Sequence, residues 1–184
     1  MKAPINQALA NSISQRLKEI RAEKGLSLDK AAALTGVSKA MLGQIERMES
    51  SPTIAVLWKI ASGLSCSFSS FLQNSKKVTG SDVEQFVDDP NMSVKTLFPF
   101  DAQKGFEVFE ITLKNNHIQI SSAHQTGVTE HIHVTEGALG LKIGEEWIEV
   151  GQGQQSILNA DLDHGYRDNV GKTTFIVVIH YPVH

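Results

Sequence analysis

Apolar residues recur at helical spacing in the first part of the chain and alternate in the second. Ile13, Leu17 and Ile20, and again Ile54, Leu57, Trp58 and Ala61, fall on one face of a helix with 3.6 residues per turn. From Phe106 onward the period shortens toward two, through Phe106, Val108, Ile111 and Leu113, then Ile132 and Val134, then Leu139, Leu141 and Ile143. Asn115-Asn116, Gly144, Gly151 and Gly153 mark turns between short strands. The pattern predicts five short helices over residues 7–74, a linker over 75–93 with room for one short helix, and an all-β unit over 94–184. Ser27, Ser38, Thr53 and Ser67 stand where helices should start, and Gly25, Gly36 and Gly63 where they should end.

The chain has 184 residues, 41% of them apolar and 20% charged, which suits one large globular domain or two small ones. A net charge of −3 and a sequence pI near 6.1 argue, as whole-chain averages, against a partner made of nucleic acid. Divided at the change of period, the average dissolves. Residues 1–77 hold eleven Lys or Arg against five Asp or Glu, and residues 78–184 hold six against fifteen, so a head of +6 precedes a body of −9. The single cysteine, Cys66, excludes an intrachain disulfide framework or thiolate zinc knuckle and points to a reducing cytoplasm. The longest aliphatic run, Phe175 to Ile179, is too short to span a membrane, and neither an anchor nor a secretory signal is expected.

Ser27 to Arg47, SLDKAAALTGVSKAMLGQIER, carries the chemistry of the head. A short helix with an Ala-Ala-Ala run, a glycine turn at Gly36, and a second helix anchored by Val37, Leu42 and Ile45 make a helix-turn-helix pattern. The anchors leave Lys39, Ala40, Met41 and Gln44 on the opposite face, toward a DNA major groove. There Gln44 can pair twice with adenine, Lys39 can reach guanine or phosphate, and Ala40 or Met41 can touch a thymine methyl. Arg16, Lys18, Lys24, Ser27, Lys30 and Arg47 suit phosphate contacts that position the domain without reading sequence. The plain alternative is a helical bundle for protein contacts with solvated charges.

The run GVSKAMLGQIERMESSPTIAVLWKIASGL resembles the Xre-type, lambda-repressor-like helix-turn-helix regulators. The resemblance implies a recognition helix over Ser38 to Arg47 and a structural ion pair between Arg21 and Glu46. Where that family often has glycine after the Ile-Glu-Arg segment, this chain has Met48.

All seven histidines lie beyond residue 116. The β pattern resembles the cupin superfamily, whose motifs read G(x)5HxH(x)3,4E(x)6G and G(x)5PxG(x)2H(x)3N. The pair His131 and His133 does not fit, because Glu136 follows too soon and no glycine stands at the required distance. With Glu130 as the acid, His124, Thr126 and Gly137 fall into place, and Gly153, Asn159, Asp161 and His164 match the second motif's spacing. The resemblance then implies a double-stranded β-helix, or jelly-roll, barrel with His124, Glu130 and His164 pointing inward. Those three could hold one divalent metal ion such as zinc, or serve as polar pocket residues. Thr126 stands where metal-dependent cupin enzymes usually have a second histidine. Strand parity puts Ile132, Val134 and Tyr166 inside, with Tyr166 a hydrogen-bond donor to a ligand. It puts His131 and His133 outside, and Arg167 at the rim.

The fold expected is therefore two-domain, an all-α helix-turn-helix bundle followed by an all-β cupin barrel. The expected function is a sequence-specific regulator of transcription that binds double-stranded operator DNA, with a small-molecule effector in the barrel and a homodimer to read two half-sites. The alternatives are a metal-dependent cupin oxygenase or isomerase with a DNA-binding head, and an antitoxin or protein-interaction module. The segments LFPFDAQKGFEVFEI, GVTEHI and VVIHYP, with the helical run above, resemble the sulfur-utilisation regulators among Xre-cupin proteins. That resemblance implies an amino acid or a sulfur compound as effector.

Overall fold

Three helix starts are held by the side chains that the sequence offers. A computed structural model of the chain, describing residues 7–72 and 90–182, has α1 at Gln7–Glu23, α2 at Leu28–Thr35, α3 at Lys39–Glu46 and α4 at Ile54–Gly63. Ser27, Ser38 and Thr53 each accept a backbone N–H three residues on, at 3.2 Å, satisfying a donor that the first turn leaves orphaned. The fifth expected helix is only a 3-10 turn, Phe68–Phe71, and Ser67 makes no capping bond to it. Three residues per turn bring Phe68 and Phe71 to one side, where both are fully buried and Phe68 stacks on Trp58 at 4.0 Å.

Gly36 closes α2 in the left-handed conformation, φ 65°, its N–H donating to Ala32 O. Gly63 does something else. It remains within α4, and the left-handed residue after that helix is Ser65, φ 52°. A Cβ on Gly63 would lie 2.5 Å from Leu34 O and from Thr35 Cα, so α4 crosses α2 at backbone contact. Met48 adopts φ 59°, a conformation that costs a side-chain-bearing residue about 1–2 kcal/mol. Met48→Gly is expected to raise the thermal stability of the helical unit by about 0.5 kcal/mol, the remainder offset by glycine's greater unfolded-state freedom.

The chain divides into two compact units at Thr79 and Gly80. Most of the expected linker falls outside the described residues, and the first strand begins at Met92. The second unit has nine strands: β1 Met92–Asp101, β2 Phe106–Lys114, β3 Ile118–Ser121, β4 Thr129–Glu136, β5 Ala138–Ile143, β6 Glu146–Gly151, β7 Gln155–Asn159, β8 His164–Asp168 and β9 Lys172–His180. They form two antiparallel sheets, β1-β2-β9-β4-β7 and β3-β8-β5-β6, in a cupin-type jelly roll. The inward faces meet at contacts such as Tyr166 on Phe175, ring centroids 5.0 Å apart. Along β4, Glu130, Ile132 and Val134 are buried while His131 and His133 are exposed. In β2 the apolar run read as one alternation occupies both faces: Phe109, Ile111 and Leu113 point inward, and Phe106 and Val108 lie on the outer side.

Candidate functional site

Leu42 and Ile45 are fully buried and fix the inner side of α3. A fork of charge holds its end. Arg21 donates through Nε to Glu46 Oε1 at 2.7 Å and through Nη2 to Oε2 at 3.1 Å, while its Nη1 reaches Leu26 O at 2.8 Å. Arg21 is raised from its ordinary pKa, chiefly by its hydrogen bond to Glu46, against burial. Ser14 Oγ adds a bond to Glu46 O at 2.6 Å. One ion pair thus ties the end of α1, the α1–α2 turn and α3 together, as the resemblance implies. The opposite side is left open: Ser38, Lys39, Ala40, Gln44 and Arg47 are exposed and Met41 is half-buried, with exposed Ser27 and Lys30 at the start of α2.

Two of these cations already have partners. Lys39 Nζ lies 2.9 Å from Asp29 Oδ2, and Arg47 forks onto Glu49 with both bonds at 2.8 Å. The Glu49 carboxyl is lowered and Arg47 raised, each mainly through that hydrogen bond. Asp29 and Glu49 are two of the five acids in the basic head. Glu49's separation of two residues from Arg47 was legible, whereas Asp29 meets Lys39 only once the turn at Gly36 folds α3 back beside α2.

In the barrel, β4 contributes Glu130, β8 contributes His164 and Tyr166, and the segment before β4 contributes His124. One ligand atom from each of His124, Glu130 and His164 lies within 4.8 Å of the others, and this is the metal-competent group among the described residues. His124 Nε2 is 3.2 Å and His164 Nε2 3.4 Å from the same oxygen, Glu130 Oε1. The second oxygen, Oε2, accepts from the Tyr166 hydroxyl. Glu130, His164 and Tyr166 are buried, and His124 is half-buried.

Local bonds set the proton positions. His164 Nδ1 lies 2.9 Å from Leu162 O, and a carbonyl only accepts, so the proton is on Nδ1. Neutral His164 therefore aims a bare Nε2 lone pair at a carboxylate, and this buried Nε2 has no hydrogen-bond partner among the described residues. Only a positive charge between or on them relieves that arrangement: a proton on the imidazole, or a metal cation shared by all three groups. The donor set of two imidazoles and one carboxylate fits a divalent ion of zinc type, with Leu162 O as the partner that orients the His164 ring.

Electrostatics follow from the same geometry. Burial disfavours the Glu130 anion, but His124 and His164 outweigh it and hold the carboxyl well below the usual carboxylate range. Burial likewise opposes charge on His164, yet Glu130 raises it above its ordinary value. Burial first, and then Glu130's charge, push the Tyr166 phenol well above 10, so it remains a donor. Arg167 departs from the expected rim position. It lies on the outer face of β8, stacked over Trp147 at 4.7 Å and donating through Nε to Asn169 at 2.8 Å.

Comparison with known proteins places this geometry. A helix-turn-helix family model, HTH_3, matches residues 17–71. The HTH-type transcriptional regulator SutR of Escherichia coli (strain K12) is 44% identical over 178 residues, which cover 95% of this chain and 97% of that protein. The chain belongs to the Xre-type helix-turn-helix transcriptional regulators. A crystal structure of an HTH_3 family transcriptional regulator from Vibrio cholerae is similar to this regulator at 50% identity and a TM-score of 0.88, covering 95% of this chain and 97% of the other. The Cupin_2 domain of an XRE family regulator from Enterobacter cloacae is 36% identical with a TM-score of 0.49, covering 50% of this chain and 98% of that domain. The regulator is thus a transcription factor whose second unit is a two-sheet jelly roll. No helix among its described residues is long and apolar enough to cross a membrane.

Proposed function

We propose that the protein is an effector-responsive, homodimeric regulator of the cytoplasm. Residues 7–74 bind operator DNA, 75–93 link, and 94–184 sense. Lys39, Ala40, Met41 and Gln44 face the major groove, while Ser27, Lys30, Ser38 and Arg47 hold the backbone. His124, Glu130 and His164 hold one divalent ion such as zinc, which when bound supplies a Lewis-acidic anchor for a small effector. Tyr166 donates at the same wall. The resemblance implies an amino acid or a sulfur compound as that effector.

The observation that carries the reading is the open side of α3, polar and exposed, on a helix whose other side is fully buried and whose end is pinned by Arg21. Titration of the full-length protein against DNA from upstream of its own gene, over a range of salt, tests it. Affinity no better than for random DNA, with and without zinc and candidate amino acids, would falsify it. Gln44→Ala is expected to cost about 1–3 kcal/mol against the cognate site and little against random DNA. Asp29→Asn frees Lys39 from an exposed pair worth under ~1 kcal/mol. It is expected to tighten binding to both DNAs about threefold at low salt, read by fluorescence anisotropy.

The barrel centre predicts opposite pH responses without and with metal. Glu130's lowered pKa contributes stability above its unfolded value and loses it as pH falls through the folded value. His164's raised pKa contributes below about 6.5 and loses it as pH rises through the folded value. In metal-free protein the pair therefore stabilises most between about pH 4.5 and 6.5. Relative to Glu130→Gln, metal-free wild type is expected to gain more in melting temperature at pH 6 than at pH 8.5. Added zinc should reverse the order, since ligand nitrogens must be deprotonated to bind.

A further inference from the structure

Strand β3 is turned inside out. Its apolar residues, Ile118 and Ile120, are 51% and 47% exposed, whereas its polar residues, Gln119 and Ser121, are 3% and 7% exposed. Register sets Gln119 directly opposite Tyr166 and Ser121 opposite His164, so both point into the barrel as cross-strand neighbours of those two residues. Isoleucine in water and amide and hydroxyl under cover run against the usual partition, and a buried polar group without a partner is unfavourable. Partners are few. Gln119 Nε2 donates to Ile120 O at 3.2 Å, which fixes the amide's orientation, because a carbonyl only accepts, and leaves Oε1 as its open group. Among the described residues, neither Gln119 Oε1 nor Ser121 Oγ takes part in a hydrogen bond. The donors beside them are engaged, the Tyr166 hydroxyl with Glu130 and His164 Nδ1 with Leu162 O. The cations of the adjoining strands, Arg167 on β8 and Lys142 on β5, stand at outward positions in register with Ile118 and Gly165.

We propose that Gln119 Oε1 and Ser121 Oγ form a subsite beside Glu130 for an amine or amide N–H group of the effector. The inference deepens the effector reading and rests on it. A wall of open, uncharged acceptors matches a hydrogen-bond donor, and with both cations outside it offers nothing to pair with a second carboxylate. The effector class is then a small acid that carries a nitrogen donor, and the same acid without that nitrogen leaves two buried acceptors unmet. A strand that holds its polar face inward gives up folding stability for binding, as functional sites commonly do.

Two readouts on the full-length protein test the subsite. In melts without effector, Ser121→Ala removes a buried hydroxyl that bonds to nothing and is expected to raise the melting temperature by about 2 °C, while Gln119→Leu stays within about 2 °C of wild type. A fall of more than about 5 °C in both variants makes these residues structural and overturns the subsite. The second readout is calorimetric titration of zinc-loaded protein with alanine, aspartate and methionine, each against its counterpart lacking the amine: propionate, succinate and methylthiobutyrate. At least one amino acid is expected to bind about tenfold more tightly than its counterpart, and both variants to reduce that preference below about threefold. No preference in wild type, or one kept in both variants, overturns the subsite while the DNA-binding reading stands. An amino acid that binds with this preference yet leaves operator affinity unchanged supports the subsite and removes the effector-responsive reading.

Discussion

Arg21→Ala is expected to lower the stability of the helical unit by about 3 kcal/mol, at the low end of the cost of breaking a buried pair, because Arg21 itself is a quarter exposed. Its partner is not. The Glu46 side chain is only 9% exposed, so removing the guanidinium strands a carboxylate that water barely reaches. The same substitution leaves Leu26 O without the donor that bridges α1 to α2. For a unit of this size about 3 kcal/mol corresponds to a fall of roughly 15 °C in melting temperature. Glu46→Gln, which preserves one hydrogen bond and buries no charge, should cost about 1 kcal/mol. The double variant Arg21→Met/Glu46→Leu should be more stable than Arg21→Ala alone, because it strands nothing. Thermal melts of the four proteins check the order. Equal stability of Arg21→Ala and wild type would remove the pair from any structural role, and DNA affinity would then be expected to survive as well.

Gly63→Ala is expected to be comparably damaging, by about 3 kcal/mol, although it adds a single methyl group. The atoms that the new Cβ would meet, Leu34 O, Thr35 Cα and Leu34 C at 2.5 to 2.8 Å, are all backbone. A side chain could rotate away; these cannot, so α4 must lift from α2. That movement opens the packing around the fully buried Leu57, Ile60 and Leu42, from which α3 takes its position. The variant should therefore lose thermal stability and operator affinity together. Gly25→Ala, where the position is open, should show only the cost of its left-handed backbone, about 1–2 kcal/mol. A Gly63→Ala melt within a degree or two of wild type would show that the two helices do not cross at backbone contact.

Much of the fold was legible because its signals are local. Ser27, Ser38 and Thr53 cap helices through bonds spanning three residues, and Gly36 ends one through a bond spanning four. The alternation in β4 predicted which residues face the barrel, and Glu130 and Ile132 lie buried there with Tyr166 from β8. Other signals were ambiguous in kind. Gly63 reads as a helix end because glycine serves both for left-handed backbone and for close approach, and only the neighbouring helix distinguishes them. In β2, an apolar residue on either face satisfies an alternation loosely scored, so the switch of Phe106 and Val108 to the outside could not be read.

What the sequence by itself determined is the order of elements, the +6 head against the −9 body, and the helix that carries Lys39 to Gln44. Those depend on capping, periodicity and composition, whose range is a few residues. Tertiary structure decided the rest: which acid neutralises Lys39, where α4 touches α2, and that three groups drawn from 124, 130 and 164 converge within 4.8 Å. It also decided that the buried His164 Nε2 faces Glu130 with no hydrogen-bond partner among the described residues, while Leu162 O holds the ring's other nitrogen. Charge and hydrogen-bond partners depend on distance and direction in space, and those exist only after strands and helices far apart in the chain have packed.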